Sequence, residues 1–314
     1  MNVSKTNYYS KENYNWDDIE PLPIDVEGVQ VSQILYSDEY RQVLGLLRAL
    51  QSQKEYSERA LFITQEAIKL NAAHYTVWQY RYHNIIELGK DIEEELEWVE
   101  DIALDNIKNY QIWNYRQLLL KKQETPNPKK EFPLIQVMLD DDPKNYHVWS
   151  HRKWLVQFFN KYDEELPFVD YFIEHDVYNN SAWSHRFFTI FSQVEKSGKA
   201  ITDEIFEEEV EYTKDQIKIA PQNVSSWNYL IGLYESSGKE LSNLEEFVLT
   251  YANVLNEGSD LESLKSIPAL EILIKIYSKS NKSLASKGYD LLSTKYDPIR
   301  KNYWEYQKKQ ITTV

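Results

Sequence analysis

The chain has 314 residues, 42% of them hydrophobic, with only 8 glycines, so it can bury a continuous apolar spine but lacks the backbone breakers that strand-and-turn folds require. A net charge of −15 and a pI near 5.0 disfavour nucleic-acid binding outside a local basic patch and favour cationic partners. The absence of cysteine excludes disulfides, a thiolate nucleophile and a thiolate-ligated metal in this chain.

The start, Met1 to Trp16, is polar and aromatic with no cationic-then-apolar leader, and no apolar run reaches membrane-spanning length. A cytoplasmic protein without membrane insertion is expected. Trp16 to about Val31 carries Pro21 and Pro23 and shows no period. Residues 1–35 are therefore expected to form an extended lead-in that needs a surface to lie on, and residues 36–314 a single all-α repeat domain.

Within that domain a tryptophan opens the same phrase five times: Trp78-Gln-Tyr-Arg81, Trp113-Asn-Tyr-Arg116, Trp149-Ser-His-Arg152, Trp183-Ser-His-Arg186 and Trp227-Asn-Tyr-Leu230, at gaps of 35, 36, 34 and 44 residues. A period near 35 is one helical hairpin with its turns, so the sequence predicts a superhelix of stacked α-hairpins. Each first helix shows one apolar stripe: Ile92, Leu96, Val99 and Ala103 in the second unit, Phe206, Val210 and Ile217 in the fifth. Glu93, Glu94, Glu95, Glu97 and Glu100 are expected to be the solvated face of the earlier helix. Asn109, Asn145, Asn179 and Asn223 stand four residues ahead of their tryptophans as predicted N-caps. The repeated arginines are expected to stack on an aromatic or bond a neighbouring turn's carbonyls; a row of guanidinium groups binding anions is the other reading. Leu270, 34 residues before Trp304, takes the sixth motif position and Trp304 the seventh, with Asp297 to Trp304 as a closing cap. About seven hairpins result.

Familiar catalytic signatures are missing: there is no Gly-x-Gly-x-x-Gly, Walker-type loop, His-Glu-x-x-His or Gly-x-Ser-x-Gly. His147 and His151 are four apart on one predicted helix, but two ligands without an acidic third make a weak metal site, and ordinary repeat positions are the alternative. The second and third motifs differ in their lead-ins, Lys108-Asn-Tyr-Gln-Ile-Trp113 and Lys144-Asn-Tyr-His-Val-Trp149. Both place a lysine, a tyrosine and a long polar side chain at a helix start, where free amides and the macrodipole favour an anion. Lys108, Tyr110, Gln111, Lys144, Tyr146 and His147 would share one rim, suited to a diphosphate or carboxylate. Simple solvation of the two lysines remains open.

These repeats, together with Trp16-Asp-Asp-Ile-Glu-Pro-Leu-Pro23, Gln33-Ile-Leu-Tyr-Ser-Asp38, Asn71-Ala-Ala-His-Tyr-Thr-Val-Trp78, Asn179-Asn-Ser-Ala-Trp183 and Ile299-Arg-Lys-Asn-Tyr-Trp304, resemble the α subunit shared by protein farnesyltransferase and protein geranylgeranyltransferase type I over nearly the whole chain. The resemblance implies a right-handed, crescent-shaped superhelix wrapped around a separate β subunit that holds the zinc, with magnesium accompanying the diphosphate. It implies transfer of farnesyl or geranylgeranyl to a cysteine near the end of CaaX proteins, with Lys108 helping the diphosphate leave. Gln111 would touch the acceptor peptide's terminal carboxylate, and Ala73 and Tyr75 its aliphatic residues. Tyr110, Asn145, Tyr146 and His147 would line the same mouth. The sequence departs from the repeat pattern at His74, which replaces a capping asparagine, and at Leu230, which replaces the arginine. A non-enzymatic tetratricopeptide-like scaffold and the α subunit of the Rab-type geranylgeranyltransferase are the competing readings.

Overall fold

Each predicted cap begins a helix. Asn109 Oδ1 accepts from the Gln111 amide at 2.9 Å, Asn145 Oδ1 from His147 at 3.0 Å, Asn179 Oδ1 from Ser181 at 3.0 Å and Asn223 Oδ1 from Ser225 at 3.1 Å, satisfying first-turn amides that the helix itself leaves unpaired. The computed structural model describes residues 14–24, 31–32, 34–197 and 200–312, and every regular element among them is helical. After α1 (Asp38–Ser52) come seven hairpins: α2 (Glu58–Leu70) with α3 (Tyr75–Glu87), α4 (Ile92–Asp105) with α5 (Tyr110–Lys122), α6 (Pro128–Asp141) with α7 (Tyr146–Phe159), α8 (Glu165–His175) with α9 (Asn180–Ser197), α10 (Asp203–Ile219) with α11 (Val224–Ser236), α12 (Glu245–Ala252) with α13 (Ile267–Ser280), and α14 (Lys282–Leu291) with α15 (Lys301–Thr312). The expected all-α hairpin repeat is what the chain forms. Two compact units divide within α7, Met1–Leu155 and Val156–Val314.

In the first unit Trp78 packs on Tyr115 at 5.0 Å and Trp113 on His151 at 4.8 Å between ring centroids. Each of these two tryptophans thus rests on the residue two places beyond its counterpart in the next hairpin. The expected lead-in falls partly outside the described residues, at 1–13, 25–30 and 33. Of its described residues, Asp18, Pro21 and Leu22 meet α1 and α2. The Leu22 amide donates to Gly45 O at 3.0 Å, and a Cβ on Gly45 would stand 2.9 Å from Pro21 Cβ. Arg59 on α2 forks onto Asp18 at 2.6 and 2.9 Å, and the Ile19 side chain is buried.

In the second unit Trp183 packs on Tyr229 at 5.2 Å, and Trp227 on Phe247 at 5.7 Å. Leu270 is fully buried in α13, where Ser266 Oγ caps Ala269 N from four residues ahead of it, so leucine occupies a tryptophan position. Trp304 lies three residues into α15 and donates Nε1 to Asp297 Oδ2 at 2.8 Å.

Three motif arginines bond to buried glutamates on the first helix of the following hairpin. Arg81 Nε and Nη2 donate to Glu95 at 2.6 and 2.8 Å, Arg116 Nη2 to Glu131 at 2.5 Å, and Arg186 Nε and Nη2 to Glu209 at 2.8 and 2.7 Å. The residue two places beyond the next motif tryptophan closes on the same carboxylate: Tyr115 donates to Glu95 at 2.8 Å, His151 Nε2 approaches Glu131 at 3.5 Å, and Tyr229 donates to Glu209 at 2.5 Å. His185 Nε2 meets Glu165 at 2.7 Å. Expected contacts are present too: Arg81 lies over Trp98 and Arg186 over Tyr212 at 3.7 Å, Arg152 over Phe132 at 5.2 Å, and Arg116 Nη1 donates to Leu96 O. Glu95 therefore corrects the reading of its run as a solvated face, because it is 5% exposed. Burial, followed by the charge of Glu95, pushes the Tyr115 hydroxyl well above its ordinary value, so it stays a donor.

Candidate functional site

Within the first unit, the starts of α5 and α7 are tied side by side. Asn145, only 4% exposed, caps α7 with Oδ1 and donates Nδ2 to Ile107 O at 3.0 Å, one residue ahead of Lys108. One turn further along, Trp113 meets His151, so the two helices run parallel from a common edge. The Trp78–Tyr115 contact extends the same register to α3. Tyr75, Tyr110 and Tyr146 are the first residues of these three helices and are 66%, 61% and 75% exposed. Aromatic rings standing in water at the starts of the second helices of three consecutive hairpins form an apolar edge rimmed by polar groups, as at surfaces that receive a partner or ligand.

Lys108 stands on this edge with 78% of its side chain exposed, its Nζ 3.8 Å from Asp142 Oδ2. That separation in water is a weak pairing that a stronger anion displaces. Lys144 is also exposed, in the turn between α6 and α7. His147 is half-buried; Tyr110 stacks over it at 6.4 Å and Tyr146 meets it edge-on at 5.6 Å. Two amino-terminal helix ends converge here, so their partial positive charges add to those of the lysines. An anion is what this edge can hold.

Not every expected site residue presents itself. Gln111 is 8% exposed, so little of its amide faces outward. Asn145 is buried in the scaffold beneath the edge and does not line it. Ala73 and Tyr75 are exposed at the start of α3, where the Ala73 amide donates to Asn71 Oδ1 at 3.1 Å. His151 is buried between Trp113 and Trp154, facing Glu131, and is turned to packing. Among the described residues no group of three His, Asp or Glu side chains could hold a metal ion. No helix among them is long and apolar enough to cross a membrane. Asp142 beside Lys108 and the four buried glutamates escaped the motif analysis. The glutamates do leave a signal: Glu95, Glu131, Glu165 and Glu209 each stand eighteen residues before a motif tryptophan.

The protein prenyltransferase alpha subunit repeat matches at residues 57–85, 92–123, 128–159, 162–193 and 206–237, the five hairpins from α2–α3 to α10–α11. The chain is 48% identical to the protein farnesyltransferase/geranylgeranyltransferase type-1 subunit alpha of Candida albicans, over 96% of this chain and 98% of that one. It is 39% identical to the subunit of the same name from Schizosaccharomyces pombe, over 93% and 92%. Among solved structures it resembles Candida albicans protein geranylgeranyltransferase-I complexed with GGPP, with a TM-score of 0.84 and 45% identity over 96% of this chain and 99% of that one. The chain belongs to the family of protein prenyltransferase alpha subunits, in the branch shared by farnesyltransferase and geranylgeranyltransferase type I.

Proposed function

We propose that this chain joins a β subunit in the cytoplasm to transfer a farnesyl or geranylgeranyl group from its diphosphate to a cysteine near the carboxyl end of CaaX proteins. In that reaction the acceptor sulfur, its proton already lost, forms a thioether bond to the isoprenoid's first carbon while the carbon–oxygen bond breaks and the diphosphate departs with the electron pair. Negative charge grows on the leaving oxygens. Lys108, at the joined starts of α5 and α7, supplies a fixed positive charge for it, with Lys144 and His147 beside it and the two helix dipoles behind them. Stabilising a departing anion in this way requires no proton transfer. Tyr110 and Tyr146 offer rings to the isoprenoid or the peptide, and Ala73 and Tyr75 an apolar stretch to the acceptor's aliphatic residues. The buried Gln111 amide would act on a peptide carboxylate only where that group reaches in.

The family also implies zinc, which activates the acceptor thiol. A zinc site needs three or more converging nitrogen, sulfur or carboxylate ligands. This chain has no cysteine, and no group of three His, Asp or Glu side chains among its described residues could hold a metal ion; we assign the zinc to the β subunit. Magnesium belongs with the diphosphate substrate.

The observation that carries this reading is the exposed Lys108 beside an edge where two helix amino-termini and three exposed tyrosines meet. Lys108→Ala heterodimer should assemble normally yet transfer the prenyl group roughly 10²- to 10³-fold more slowly in single-turnover assays with a peptide ending in CaaX. Parental speed in that variant would remove Lys108 from the chemistry.

A further inference from the structure

The turn that carries Lys108 is held differently from its counterparts. In four other hairpins the motif tryptophan pins its own turn by donating Nε1 to the carbonyl six residues back: Trp78 to Ala72 at 2.7 Å, Trp149 to Pro143 at 2.9 Å, Trp183 to Val177 at 2.8 Å and Trp227 to Pro221 at 2.8 Å. The corresponding pair in the second hairpin would be Trp113 and Ile107. Trp113 Nε1 is buried there without a hydrogen-bond partner. Ile107 O is taken by Asn145 Nδ2 of the next hairpin instead.

The second unit contains a matched case. Asn223 caps α11 with Oδ1 and donates Nδ2 to Val177 O, which also accepts the Trp183 indole. There the asparagine is one of two restraints on the turn. At the Lys108 turn the indole's restraint is missing, and the amide of Asn145 takes over its carbonyl.

We infer that Asn145 is a positioning residue for Lys108, fixing the 106–109 turn against α7 so that the ammonium group stands where the diphosphate's charge develops. This rests on the proposed role of Lys108 and adds to it. A charge prearranged for the transition state loses much of its effect when displaced by an ångström or so. Asn145→Ser keeps a hydroxyl to cap α7 but cannot reach Ile107 O. The orphaned Trp113 N–H then competes for that carbonyl, drawing the turn toward its own helix.

The test uses the assembled heterodimer and compares Asn145→Ser with Asn223→Ser, a variant that keeps the same cap and loses the same side-chain donor far along the chain from Lys108. Both should lower the melting temperature by similar amounts. Only Asn145→Ser should slow single-turnover transfer, by roughly 10- to 100-fold, with the KM for the CaaX peptide unchanged. In a Lys108→Ala background that loss should disappear, because there is no ammonium left to misplace. Should Asn145→Ser instead run at the Asn223→Ser rate, or its loss multiply fully with that of Lys108→Ala, Asn145 is only a cap and the inference fails while the role of Lys108 stands. A Lys108→Ala enzyme of parental speed would overturn both.

Discussion

Glu131 is 2% exposed between the Arg116 guanidinium and the His151 ring. Glu131→Ala would leave Arg116, itself 1% exposed, as a buried charge with no counter-ion, at a cost of about 3–5 kcal/mol. Glu97→Ala removes a carboxylate of the same type, bonded to Lys130 but 67% exposed, and should change stability by no more than about 0.5 kcal/mol. Denaturant melts of the two variants check the contrast, and equal losses would deny the buried pairs any special weight. The arginines were readable as packing elements because they recur at one offset from tryptophan. Their carboxylates were not: in Glu93 to Glu97, side-chain type cannot distinguish the inward Glu95 from its wet neighbours. Only its distance from Trp113 sets it apart.

At the scale of the element, helix starts were legible, since an asparagine four residues ahead of a buried tryptophan is a local chemical signal that needs no tertiary information. The resting place of the lead-in was not. Pro21 and Leu22 lie against the one residue of α1 that lacks a side chain, and nothing local marks Gly45 as a docking point. Gly45→Ala makes a better helix by roughly 1 kcal/mol but places a methyl group 2.9 Å from Pro21 Cβ. The expected outcome is faster hydrogen exchange at the Leu22 amide while α1 keeps its protection; unchanged exchange there would mean that the contact yields without release. The candidate site was half legible for related reasons. Lys108, Tyr110, Lys144 and Tyr146 precede or open helices and stand exposed as expected, whereas Gln111 turns inward with the face of Ile112 and Trp113. Recognising Asn145 as a cap accounted for its oxygen alone. The destination of its nitrogen lies 38 residues back and exists only in the folded chain.

For the molecule as a whole, the shared carboxylates make stability depend on pH in a definite direction. Burial alone would raise the Glu131 pKa, but the contact with His151 and the charge of Arg116 outweigh it and hold the group below its ordinary 4.5. Burial depresses His151 below its ordinary 6.5, with Glu131 opposing and Arg116 assisting. Both folded values lie below the unfolded ones, so both contributions are complete above the unfolded values and are lost as the medium becomes acid, that of His151 first. His151→Tyr, which installs the residue found at the equivalent positions 115 and 229, should flatten the fall in melting temperature between about pH 7.5 and about pH 5.5. An unaltered slope would show that proton uptake by this imidazole is not what weakens the fold. The same carboxylates also govern where the array can be cut. A chain ended after Gln123 would finish on α5 with the glutamate of Arg116 gone, while one begun at α4 would keep Glu95 but forfeit Arg81. At these joints one hairpin carries the arginine and its neighbour the glutamate. Trimming by whole hairpins at such a joint, harmless by sequence period, leaves a charge without its counter-ion at the new terminus.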